Sequence, residues 1–325
     1  VSLATLTTGA MPSTHGVIGS RWVDYTTNRV VELTDGHKGP GAYHLIAPTL
    51  TETLLQHAPG SRAVTVAAEA VSAVVMAGRS GEVFWLDPER CDWATSPYYA
   101  PGVPEWIERS NRERYNLSYI TTEWRTLLER GRYLNTRNHD ITLAGKSKKD
   151  KDLNGAGRLK PTNDLERLLY TPAGNTAVLG LAKQAIAQYK LGDDKVPDLL
   201  NICLDTPRRI SEAYGPESIE VEDMYYRLDR DLADFLTFVF AQVKDGNALV
   251  VLTSDHGTIR VDNPVKVTGD RETSANLRYK TGRNLAYNSR EVYEILKPED
   301  VQLPSSNLTS SYIFAYNTDF LVYNN

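Results

Sequence analysis

The chain has 325 residues, with 36 Lys and Arg against 41 Asp and Glu, a formal net charge of -5 and 41% hydrophobic residues. That balance excludes a disordered polypeptide, a collagen-like repeat and a basic nucleic-acid arm, and the length supports one large α/β domain or two ordinary ones. Two cysteines, Cys91 and Cys203, are too few for a disulfide framework, and no run approaches the roughly 20 apolar residues of a membrane helix.

The first residue is Val1, within what reads as an ongoing element, so further chain is expected at that end. Thr7–Trp22 follows, and its Gly and Pro spacing predicts a backbone that approaches another group closely. A helix is expected over Thr49–His57, then strands over Ser61–Ala67 and Val83–Leu86. Tyr98–Tyr133, with Trp106, Tyr115 and Trp124 on short helices, reads as an inserted subdomain over one sheet edge. The mixed-charge, Gly-containing stretch from Asn135 to Pro161 reads as a mobile solvated loop. Insert and loop together make a cap over 98–161, with the core over 1–97 and 162–325. Then come a helix over Asn175–Tyr189, a strand over Leu199–Leu204 and a helix over Val221–Val243. In the last helix Met224, Leu228, Leu232, Phe235 and Val239 form one apolar stripe, which belongs against the parent core. Strands are expected again at Ala248–Thr253, Tyr312–Ala315 and Phe320–Tyr323. This alternation predicts a sheet with helices on its faces.

Three constellations can carry chemistry. Leu249–Gly257 reads as a buried strand delivering Asp255 and His256 at its carboxyl end, where open α/β sheets bind ligands; both side chains suit zinc. Asp-His after a strand is also a common turn. Leu199–Asp205 is a second apolar strand ending in an acid, so Asp205 and Asp255 leave like ends of two strands and converge with His256 if those strands are neighbours. Asp205 can alternatively cap the turn at Thr206-Pro207. Cys203, between Ile202 and Leu204, reads as an inert core residue. In the third, His15 is a ligand or base, or a structural His bonded to backbone.

The residues Thr7-Thr8-Gly9-Ala10-Met11-Pro12-Ser13-Thr14-His15-Gly16-Val17-Ile18-Gly19-Ser20-Arg21-Trp22 resemble the segment after the nucleophile in the alkaline phosphatase superfamily, particularly the PafA-type bacterial phosphatases. The resemblance continues through Gly81–Asp87, Ser96–Tyr99, Thr171–Asn175 and Gly215–Asp223. From Asp255 onward, through Pro264–Val267, Gly269–Thr273 and Asn276–Lys280, the chain is similar to the PglZ effector domain of PorX-type response regulators. The resemblance implies an α/β three-layer αβα sandwich and zinc-dependent hydrolysis of phosphoric esters, phosphodiester or phosphomonoester, with two zinc ions. Asp205, Asp255 and His256 match metal ligands, and Ser20 stands where the family contacts a phosphoryl oxygen. The family's nucleophile is expected before Val1 and its last zinc ligand after Asn325.

Two departures stand out. Arg209 occupies the place of a zinc-binding His four residues after Asp205, and a guanidinium cannot coordinate zinc. Glu69-Ala70-Val71 replaces the Lys-x-Arg that binds a monoester dianion, and an unpaired carboxylate there would repel it. If Glu69 is instead a solvated strand-end residue, it has no such effect. The expected partner is a phosphate ester, a nucleotide or oligonucleotide included, with no membrane and no stable duplex nucleic acid. The alternative is a catalytically inactive PglZ-like signalling or binding module. The compartment follows the resemblance, periplasmic for the first type and cytoplasmic for the second.

Overall fold

The computed structural model describes residues 1–24, 27, 29–120, 124–134, 163–243 and 247–258, with the backbone of Ile313–Tyr316 and Leu321–Tyr323. The chain forms two compact units: Val1–Arg21, Glu32–Ser147 and Lys160–Thr258 make the larger, and the remaining residues make the smaller.

Helix α1 (Ser2–Thr8) ends on Gly9 in the left-handed region, and the single turn α2 (Pro12–His15) begins on a proline that pre-sets its φ. Strands β1 (Arg21–Asp24) and β2 (Arg29–Glu32) pair as a two-stranded sheet. Helix α3 (Leu50–His57) starts on a full capping box, with Thr49 accepting from the Glu52 N–H while the Glu52 carboxylate accepts from the Thr49 N–H. Then follow β3 (Ala63–Ala67), α4 (Ala70–Ala77), β4 (Glu82–Leu86), the short β5 (Trp93–Ala94) and α5 (Glu105–Arg112). Beyond 162 come α6 (Asp164–Leu169), α7 (Ala173–Tyr189), β6 (Leu199–Cys203), α8 (Thr206–Tyr214) and α9 (Ile219–Gln242). In the smaller unit, β7 (Ile313–Tyr316) and β8 (Leu321–Tyr323) pair antiparallel. The Tyr312–Ala315 and Phe320–Tyr323 strands thus form within one residue of their expected places. Among the described residues no helix is long and apolar enough to cross a membrane.

The principal sheet has the order β5-β4-β3-β6, with β3 parallel to both β4 and β6 and β5 antiparallel at the edge. Side chains alternate across it. Val64, Val66, Phe84 and Leu86 join α7 and α9 residues in one core, while Ala67, Val83 and Trp85 meet Ala73 and Ala77 of α4 on the other face. Burial on both faces explains why β3 and β4 read as nearly unbroken apolar runs. The α9 stripe does face the parent core: Met224, Leu228 and Phe235 are buried there, and Leu232 and Val239 pack against them.

Ala248–Thr253 is not the buried strand its sequence predicts. Leu249, Val251 and Leu252 are 91%, 77% and 74% exposed, and the segment has no ladder partner among the described residues. Apolar, β-branched composition suits a strand, but only a neighbouring backbone makes one.

The aromatic-rich stretch is tied down by α9. Buried Asp223 accepts from Trp124 Nε1 at 2.6 Å, the Leu127 N–H at 2.6 Å, the Tyr133 hydroxyl at 2.5 Å and Arg227 Nε at 2.7 Å. Trp106 adds edge-on contacts to Phe84 and Tyr189. The loop expected over Asn135–Pro161 lies outside the described residues.

Candidate functional site

Parallel pairing of β3 with β6 sets Ala67 beside Cys203, so the turns that follow both strands emerge side by side. One turn runs through Ala68-Glu69 into α4, the other through Leu204-Asp205 into α8. Asp205 joins them: its Oδ2 accepts the N–H groups of Ala68 at 3.0 Å and Glu69 at 3.1 Å, and its Oδ1 accepts the Ser72 hydroxyl at 2.5 Å. It makes no side-chain cap bond to α8, so its work is across the sheet rather than within its own turn. Gly174 lets α7 approach this corner, since a Cβ there would collide with the Thr206 hydroxyl.

Asp205 is buried and titrates at about 6, above the usual carboxylate range. Burial is the main cause and the neighbouring charge of Glu69 the second; the Ser72 hydrogen bond, Arg208 and the Glu69 N–H pull the other way. Burial also pushes the Cys203 thiol up, and the charges of Asp205 and Asp255 both act on it in the same direction. Asp255 acts as well on Val1, at the start of α1. Asp255 itself lies on a segment that pairs with no strand among the described residues. His256 stands beside it, Nε2 being 3.7 Å from Asp255 Oδ2, while Nδ1 lies 3.0 Å from the Gly257 carbonyl.

The other sequence candidates go elsewhere. His15 is a buried connector: Nδ1 accepts the Val17 N–H at 3.0 Å, which leaves the proton on Nε2, 3.0 Å from the Thr5 hydroxyl. Burial holds its pKa below the ordinary value. Ser20 lies exposed before β1, and its hydroxyl makes no hydrogen bond with the Asp205 cluster among the described residues.

The residue that changes the picture is Glu69. It is not a solvated strand-end residue, because its two oxygens take Arg208 Nη2 at 2.7 Å and Arg209 Nε at 2.6 Å, with 18% of its side chain exposed. The repulsion expected from a bare carboxylate is thereby offset by two guanidinium groups. The two departures, Arg209 and Glu69, are partners of one another. Ser72 and Arg208 belong to the cluster and were not singled out from the sequence. The available signals were the Arg208-Arg209 pair three residues after Asp205 and the single hydroxyl at the start of an otherwise apolar helix.

Carboxylates and an imidazole suit zinc as donors. Their arrangement here does not fit the two-ion centre that the resemblance implies. Asp205 Oδ2 is filled by two N–H groups and Oδ1 already takes a hydroxyl. Arg209, which cannot ligate, is committed to Glu69. Among the described residues no three His, Cys, Asp or Glu side chains stand close enough to hold a metal ion.

Residues 1–305 match the family model of type I phosphodiesterase/nucleotide pyrophosphatase, so the match continues past Gly257 without a break. Alkaline phosphatase PafA of Elizabethkingia meningoseptica is 32% identical over 269 residues, covering 77% of this chain and 49% of the relative. A protein of Myroides odoratus named calcium-transporting ATPase is 30% identical over 277 residues, covering 78% of this chain and 50% of the relative. The crystal structure of alkaline phosphatase PafA superposes with a TM-score of 0.67 at 28% identity, over 76% of this chain and 51% of that one. The chain thus spans about half the length of the relatives it matches.

Proposed function

This chain belongs to the type I phosphodiesterase/nucleotide pyrophosphatase family, within the alkaline phosphatase superfamily, and on that premise we propose that the carboxyl ends of β3 and β6 serve the hydrolysis of phosphoric esters. The observation that supports this most is the corner itself, where Asp205 at the carboxyl end of β6 takes the Ala68 and Glu69 N–H groups that follow β3. Carboxylates at the ends of parallel strands are where an α/β sheet presents chemistry to a ligand. The substrate class is a phosphate monoester or diester, a nucleotide being one form of either.

Asp205, Asp255 and His256 are the donors this chain offers to the zinc expected from the resemblance, and Ser20 is the hydroxyl offered to a phosphoryl oxygen. Among the described residues these donors do not assemble around one ion. This chain's own residues fix the corner: Asp205 holds the Ala68-Glu69 turn and Ser72 against β6, and Glu69 orients both guanidinium groups.

Hydrolysis of bis(p-nitrophenyl) phosphate and of p-nitrophenyl phosphate by the full-length protein tests the reading. Turnover of at least one ester is expected, with a loss of about 100-fold or more in Asp255→Asn. Absence of turnover for both would overturn it. The guanidinium of Arg209 where a ligand is expected favours a second reading, a module that binds phosphate esters without turnover. Turnover separates the two: ester hydrolysis by the full-length protein supports the hydrolase, and ester binding by titration calorimetry with no hydrolysis supports the binder.

A further inference from the structure

Arginine forks bind carboxylates and phosphates with the same donors, so a carboxylate seated in a fork marks a place that fits a phosphoryl group. Arg208 and Arg209 make such a fork at the start of α8, and each side chain is 32% exposed. Glu69 takes one nitrogen from each, and Arg208 Nη1 has a second, longer contact of 3.4 Å to Glu212. Arg209 is less committed. Only its Nε is used, and among the described residues neither of its terminal nitrogens makes a hydrogen bond. Burial of Arg208 and Arg209 would lower their pKa, but the charge of Glu69 raises both, so they stay charged.

We propose that the Arg208–Arg209 fork binds the phosphoryl oxygens of the ester, and that Glu69 is its resident competitor, displaced when the phosphoryl group enters. The inference rests on the hydrolase reading and adds the group that takes up the substrate's charge. It places the positive charge beside Asp205 in two side chains. A phosphoryl group carries at least as much negative charge as Glu69, and its non-bridging oxygens can take the open Arg209 nitrogens while Arg208 keeps its longer contact to Glu212. No bond forms or breaks in the exchange; one anion leaves the fork as another enters.

Isothermal titration of the full-length protein tests this, with inorganic phosphate as one probe and diphenyl phosphate as the other. Removing the competing charge by Glu69→Gln is expected to tighten binding of at least one probe by about tenfold or more. Tightening of inorganic phosphate assigns the fork to the free dianion, and tightening of the diester assigns it to the ester; either supports the proposal. The double variant Glu69→Gln with Arg209→Ala is expected to lose that gain. Glu69→Ala serves as a second variant, and thermal melting of each confirms the fold. Unchanged or weaker binding of both probes in Glu69→Gln, or a gain that survives Arg209→Ala, would overturn the proposal. Ester turnover in the unmodified protein with no tightening in Glu69→Gln would sink this inference and leave the hydrolase reading standing.

Discussion

Asp205 and Asp223 are both buried carboxylates, yet the structure moves them in opposite directions. Asp223 has four donors, one of them Arg227, and despite a desolvation cost that would raise it, those hydrogen bonds hold it below the ordinary range. Asp205 has only uncharged donors, two N–H groups, the Ser72 hydroxyl and the weak Cys203 thiol, with the negative Glu69 nearby, and it titrates at about 6. Burial alone therefore does not set the direction in which a carboxylate titrates. What separates the two is whether the donors cover the charge. Asp223 is a closed latch between α9 and the Trp124–Tyr133 stretch, while Asp205 keeps a poorly compensated charge at the strand ends.

The largest expected effect breaks the latch. Asp223→Ala leaves the Trp124 indole N–H, the Tyr133 hydroxyl and the Arg227 guanidinium without their acceptor, and should cost about 3–5 kcal/mol in denaturant unfolding. A loss under about 1 kcal/mol would mean that the latch does not hold the insert.

Next comes the pH dependence. A carboxylate whose folded pKa lies above its unfolded value takes up protons on folding, so Asp205 destabilises the fold as pH rises from about 4 to about 6. Buried Glu220, pushed up to about 7 mainly by desolvation, acts with the same sign up to that pH. Asp223 has the opposite sign: it contributes stability above the ordinary Asp range, and this is lost on acidification below it. Asp205→Asn should flatten the slope between pH 4 and 6 and stabilise the protein at pH 7 by on the order of 2 kcal/mol. An unaltered slope would contradict the assignment.

The smallest effects compare single donors. Ser72→Ala removes the hydroxyl donor to Asp205 and should cost about 1 kcal/mol while moving the titration of Asp205 further up. Tyr133→Phe removes one of four donors to Asp223 and should cost a similar amount, leaving that carboxylate ionised at neutral pH. Carboxyl-carbon NMR titration of the two variants reads the difference.

Much of this contrast was hidden in the sequence. The strand Leu199–Leu204 and its terminal Asp205 were legible because an apolar run between helical patterns is a local signal, and the register beside β3 then brings the strand ends together. Asp223 gave no such signal: it sits on the polar side of a long amphipathic helix, where an acid with an i+4 Arg usually faces water, and three of its four partners lie 90 to 99 residues away. Glu69 and Arg209, 140 residues apart, could each be recognised as a departure but not as a pair, since pairing is a property of the folded corner. Ala248–Thr253 failed for the converse reason, because composition suggested a strand where no partner backbone lies alongside among the described residues.

The central claim is that the chemistry belongs to the Asp205 corner and the architecture to Asp223. Phosphodiester turnover by the full-length protein, measured for Asp205→Asn and Asp223→Asn at a temperature where both are folded, tests it most directly. The account predicts that kcat falls by about 100-fold or more in Asp205→Asn and stays within about threefold of the unmodified protein in Asp223→Asn. Full turnover in Asp205→Asn, or an equal loss in both variants, would contradict it.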